Sequence, residues 1–142
     1  MEYDLSRFVH MHKENFETAL AEIRSGKKQS HWMWSIFPQI RGLGKSHISV
    51  YFAIESREEA KAFLQDDYLG NNLVTICEEL IKLPEKDPYE IFGHPDDIKL
   101  KSSMTLFSMI SEDNSVFDRV LEKFFDGERD ERTIGILESI NT

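Results

Sequence analysis

His31, Trp32, Trp34, Gln39, Arg41, Gly44, Lys45 and Ser46 all fall within one stretch, HWMWSIFPQIRGLGKS, which contains no carboxylate. Indole faces stack planar rings, and beside a guanidinium or an ammonium they suit a planar ligand that carries negative charge. Gly44, Lys45 and Ser46 stand just before a helix expected from Ser46, where backbone N–H groups favour anions. The loop is not a Walker loop. That motif needs GxxxxGK[ST] between a strand and a helix, whereas Gly42 and Gly44 are two residues apart and no strand precedes them.

A second stretch, FGHPDDIKLKSSMTLF, places Asp96, Lys99 and Ser103 at three- and four-residue spacing, so that they share a helical face. Where the two stretches meet, a pocket for a small anionic, planar, nucleotide-like molecule is expected. Trp32 or Trp34 would stack it, and Arg41, Lys45 and Lys99 would meet its charge. His31, Gln39, Ser46 and Ser103 would hydrogen-bond to it. An enzymatic version, a hydrolase or transferase, needs His31 as general base with Asp96 or Asp97 as its partner. It would use Ser103 as nucleophile if a base lies within reach. A third version is a protein-interaction module that uses the tryptophan surface. Against all three stands packing: a short helix apolar nearly all round is core material. Asp96 and Lys99 could be a first-turn ion pair, and Ser102 and Ser103 could bond back to helix carbonyls.

The elements that would hold these residues are helical. Leu5, Phe8, Val9, Phe16, Leu20 and Ile23 recur at helical steps until Gly26. Ser30 is expected to cap a short helix from His31 to Ile36, ended by Pro38, and a loop runs from Pro38 to Lys45. Ser46 opens another short helix; Val50 and Tyr51 would also suit a strand, but one without a partner. Ser56 and Glu59 form a capping box. Leu73, Ile76, Cys77, Leu80 and Ile81 make an amphipathic stripe that stops near Pro84. Asp87 with Pro88 opens a short segment ended by Gly93. His94 or Pro95 opens a helix through about Ile110, Asn114 or Ser115 caps one ended by Gly127, and Asp130 caps the last. The expectation is an all-α single domain spanning residues 1–142, with about seven or eight short helices in irregular orthogonal packing rather than a four-helix bundle.

The runs KKQSHWMWSIFPQIRGLGKS and IFGHPDDIKLKSSMTLF closely resemble the small bacterial protein family catalogued as domain of unknown function 1810. The family pattern is Ser-His-Trp-Met-Trp-aromatic-Ile-Phe-Pro-Gln, then Gly-Leu-Gly and Ser. Later come Phe-Gly, Asp and Lys-Leu-Arg-Ser-Ser-Met-Thr-Leu-Phe. This chain departs at Ser35, usually aromatic, at Lys101, often arginine, and at Phe52-Ala53; neither motif is broken. The resemblance implies an all-helical fold and brings no activity, cofactor or catalytic residue with it.

Composition narrows the partners. The net charge of −9 argues against extended nucleic-acid binding. The segment between Glu22 and Glu55 nevertheless holds Arg24, Lys27, Lys28, Arg41 and Lys45 with no acid, a local anion-attracting region. One cysteine, Cys77, excludes an internal disulfide, and with five scattered histidines it makes a poor metal site. The first residues, MEYDLSRFV, lack the form of a signal peptide, and no apolar run approaches the roughly 20 residues that span a bilayer. A cytoplasmic location is the expectation.

Overall fold

The structure, a computed structural model, describes residues 3–140 and is all-α. Most of its helices start where a short polar side chain satisfies the first free N–H groups. Helix α1 (Ser6–Arg24) turns Phe8, His12, Phe16, Ala19, Leu20 and Ile23 inward and ends at Gly26, whose φ of +88° a side chain would resist. The single-turn α2 (Met33–Ile36) and α3 (His47–Tyr51) follow, the latter capped by Ser46, which accepts from Ser49 N. Ser56 caps α4 (Arg57–Gln65) by accepting from Glu59 N at 3.1 Å, and Glu59 accepts in return from Glu55 N at 2.7 Å. Asp66 caps α5 (Asp67–Lys82), and Asp87 with Pro88 starts α6 (Pro88–Phe92). A cis His94–Pro95 bond leads into α7 (Asp96–Met109). Ser115 caps α8 (Val116–Phe125), and Asp130 caps α9 (Glu131–Ile140) through Thr133 N.

These are nine helices among the described residues, somewhat more than the seven or eight expected, and three of them are only four or five residues long. Two local expectations change. Ser30 does not cap α2; its hydroxyl donates to Glu22 at 2.5 Å, and Trp32 occupies the cap position. Val50 and Tyr51 lie in α3 and not in a strand. The β-type pairing among the described residues is one parallel bridge between Ile40 and Ile54, with Arg41 N donating to Ile54 O and Ile54 N to Gln39 O at 2.9 and 2.8 Å.

Helix α5 packs on α1, α4 and α8, and α7 packs on α4, α6, α8 and α9. Edge-on and tilted rings run through the centre, from Phe8 to Phe63 to Phe107 to Phe117, with centroids 5.1 to 5.6 Å apart. Gly70 permits the α4–α5 junction, because a Cβ there would stand 2.0 Å from the Leu64 carbonyl oxygen. Lys123 closes the far end of α5, its Nζ donating to the carbonyls of Leu80, Ile81 and Leu83.

Helix α7 is buried over most of its length, which accounts for its serines and threonine. Ser102 Oγ donates to Asp130 Oδ2 at 3.1 Å, and Thr105 Oγ1 accepts from Asp130 N at 2.8 Å while donating to Lys101 O. These hydroxyls dock the start of α9 into a surface that apolar residues would leave unpaired. Cys77 is fully buried beside Met104, and burial pushes its thiol up, so it is inert. Among the described residues no helix is long and apolar enough to cross a membrane.

Candidate functional site

The two tryptophans point to different fates. Trp32 is 1% exposed, packs against Phe37 and Phe92, and donates its Nε1–H to Glu22 Oε1 at 2.9 Å. Glu22 also accepts from Gln29 N, Ser30 N and Ser30 Oγ. Burial alone would raise this carboxyl, but those donors outweigh it and hold it down at about 2. Glu22 thus fixes the chain entering α2. Trp34, two residues on, is half-buried and lines a surface cleft.

That cleft has a volume of about 250 Å3 and lies between Trp34, the loop from Gln39 to Gly44, and the segment from Ser49 to Glu55. Ile40, Val50 and Phe52 give it apolar walls, while Gln39, Arg41 and Glu55 supply its polar groups. Arg41 Nε donates to Glu55 O at 3.2 Å, with the Glu55 carboxylate 3.9 Å away. Gly44 is required by close approach, since a Cβ there would meet Ser49 Cβ at 2.5 Å. A second chamber of about 200 Å3 shares Gln39, Gly44 and Ser49 with the first and reaches Ile98, Lys99 and Ser102 of α7 and Asp130 and Arg132 at the start of α9.

Lys99 joins the two stretches singled out in the sequence. Its Nζ stands over the Trp34 ring, 5.3 Å from the centroid, and 3.5 Å from Asp96 Oδ1. Asp96 pairs more tightly with Lys28, at 2.9 Å, and Lys28 is almost fully buried, donating also to Ser30 O. Two ammonium groups therefore share one carboxylate, leaving net positive charge next to Trp34.

Of the residues picked from sequence, Trp34, Gln39, Arg41, Gly44 and Lys99 converge on the paired chambers. Trp32 lies in the core, so neither of its faces can stack a ligand. Ser103 is 0% exposed, and its Oγ has no hydrogen-bond partner. His31 and Lys45 are exposed and border neither chamber. Ser46 spends its hydroxyl on Ser49, which lines the chambers in its place. Asp97 pairs with His94 at 3.0 Å. His31, Lys99 and Ser103 do not converge, and among the described residues no base hydrogen-bonds to Ser103.

Three charged lining residues escaped the sequence reading, Glu55, Asp130 as a chamber wall, and Arg132, and so did Ser49, which borders both chambers. Glu55 and Arg132 are charged residues at or beside a helix start with no motif to distinguish them from solvated neighbours, and Asp130 was marked only as a cap.

A family model described as protein of unknown function (DUF1810) matches residues 2–137. The crystal structure of a conserved hypothetical protein, Rv1873, from Mycobacterium tuberculosis superposes with a TM-score of 0.93 at 43% sequence identity, covering 96% of this chain and 97% of that one. No curated protein matches.

Proposed function

The chain belongs to this family, which carries no assigned activity, and we propose from its geometry that it binds a small, planar, anionic molecule of the nucleotide kind in the cleft beside Trp34. One observation carries the reading: a half-buried indole lines a concave site while a lysine ammonium stands 5.3 Å over its ring. An aromatic face for a ring next to unbalanced positive charge is the pairing that such a ligand needs. Apolar walls with few polar groups are also the usual make-up of a small-molecule site. Gln39 and Glu55 supply an amide and a carboxylate for the ring edge, and Arg41 and Lys99 supply charge. The reading is tested by thermal shift of the purified protein against nucleotides and small aromatic acids, followed by titration of each hit. If no planar anion raises the melting temperature or gives a saturable titration, the reading fails.

A second reading has its own observation. Helix α3 buries no residue and exposes Ile48, Val50 and Tyr51, the last two at 60% and 61%. Exposed apolar side chains clustered on one short helix favour a macromolecular contact. Ile48→Asp with Tyr51→Ser separates the two readings, because neither residue borders the chambers: it abolishes capture of a protein partner and leaves small-molecule titration unchanged. A hydrolase or transferase acting through Ser103 has no support, since its hydroxyl is enclosed and unpaired.

A further inference from the structure

The two chambers beside Trp34 differ in charge. The larger sets one cation, Arg41, against one carboxylate, Glu55. The smaller contains two cations, Lys99 and Arg132, and one carboxylate, Asp130. Asp130 Oδ2 already accepts from Ser102 Oγ at 3.1 Å, Thr133 N at 3.1 Å and Thr133 Oγ1 at 2.5 Å, so its charge is directed into the first turn of α9. Arg132 is exposed and has no ion-pair partner among the described residues. Asp96 balances only one of Lys28 and Lys99. The excess positive charge of the site therefore collects in the smaller chamber, and the ring-sized apolar walls lie in the larger one.

Resting on the nucleotide-like reading above, we propose that the ligand lies in one orientation. Its phosphoryl group is held in the smaller chamber by Lys99 and Arg132. Its uncharged planar ring lies in the larger chamber against Trp34, with Glu55 accepting from a ring N–H. Gln39, Gly44 and Ser49, which border both chambers, flank the link between the two parts. The ligand class is then a nucleoside monophosphate. A nucleoside alone leaves two cations unmet, and inorganic phosphate leaves the aromatic wall uncovered.

The test is calorimetric titration of the full chain with the four ribonucleoside 5′-monophosphates, the matching nucleosides and inorganic phosphate. At least one monophosphate is expected to bind about tenfold or more tightly than its nucleoside, as a charge-assisted contact gives. Arg132→Ala should remove most of that advantage while leaving nucleoside affinity unchanged, and Lys99→Ala should remove it while also lowering nucleoside affinity, because Trp34 loses the cation packed on its ring. Arg41→Ala should weaken both forms alike. Asp96 keeps Lys28 in the Lys99→Ala variant, and thermal melts check that it folds; if it does not, exposed Arg132 carries the test. Equal affinity for nucleoside and monophosphate, or a preference that survives Arg132→Ala, overturns the orientation while the planar-ligand reading stands. Inorganic phosphate binding as tightly as the monophosphate also overturns it, because the Trp34 chamber would then contribute nothing. If no nucleoside or monophosphate binds, the ligand class and orientation proposed here fall, and the planar-anion reading falls with them when the small aromatic acids also fail to bind.

Discussion

Lys99 Nζ stands 5.3 Å from the centroid of the Trp34 ring, so one side of this indole is already committed to a cation. The contact joins the first turn of α7 to α2 and couples two segments far apart in sequence. It also makes the ring both a packing surface and a site wall, and the two roles can be separated by substitution.

Trp34→Ala is expected to lower affinity for any ligand identified by titration by about 1–3 kcal/mol, the usual worth of an aromatic stacking face. Trp34→Phe should keep most of it. Calorimetry on both variants checks this, and an unchanged affinity in Trp34→Ala would remove the indole from the site.

Trp32→Ala should behave in the opposite way. It empties a fully enclosed position and leaves Glu22 without one of its donors, at a cost of about 3–5 kcal/mol in chemical denaturation. Glu22→Ala should cost about 2–3 kcal/mol, because Gln29 N, Ser30 N and the Trp32 indole lose their shared acceptor.

Acid should weaken the fold through His12. Its Nε2–H donates to Ser35 O at 2.8 Å, and Nδ1 accepts from Asn72 at 3.1 Å, so the folded state holds the neutral ring. Burial lowers it to about 4, from an ordinary value near 6.5. The unfolded chain then binds the proton first. The His12 contribution is complete above pH 6.5 and is lost as pH falls towards 4, by up to about 3 kcal/mol. Urea midpoints between pH 7.5 and 4 should show this slope, and His12→Gln should flatten it. The Glu22 contribution runs in a lower window, present above about 4.5 and lost as pH falls towards 2.

Gly44→Ala should distort the site without unfolding the core. The added Cβ would overlap Ser49 Cβ, so the loop and α3 must part. Ligand affinity is expected to fall about tenfold or more, with a melting temperature near that of the parent. The double variant Gly44→Ala with Ser49→Gly removes the overlapping atom and should recover part of the affinity. Failure of the second change to restore anything would mean that the first acts some other way.

Most caps were legible in the sequence because they are short-range chemistry, though Asp66 was not and Ser30 suggests a cap that it does not make. Ser46, Ser56, Asp87 with Pro88, Ser115 and Asp130 each satisfy an N–H two or three residues away. The long-range decisions were not. Trp32 and Trp34 look alike in the sequence, but Trp32 sits at the cap position of α2 and gives its indole N–H to a carboxylate ten residues upstream, Glu22, while Trp34 stays half-buried at the cleft. The polar residues of α7 stood out, but their purpose depends on Asp130, which docks from a distant helix. Ser103 was misleading for the same reason: its spacing with Lys99 is real, yet Lys99 borders the cleft and Ser103 sits inside the core. Arg132 becomes visible only when the start of α9 is brought beside the start of α7.

The parallel bridge between Ile40 and Ile54 has a further consequence. Two backbone hydrogen bonds clasp the ends of the chain between those residues, which carries the glycine loop and α3 and buries nothing in α3. The entropy of closing a loop changes slowly with its length. The exposed tip of the segment, around Lys45 and His47, can therefore be exchanged or extended at little cost to the helices beneath, whereas Leu43 and Phe52 pack on the core and Arg7 holds the Tyr51 and Ala53 carbonyls. The tip is a replaceable cassette: a chimera that takes it from a relative should keep the scaffold's stability and its preference at the charged end of the ligand, because Lys99 and Arg132 lie outside it.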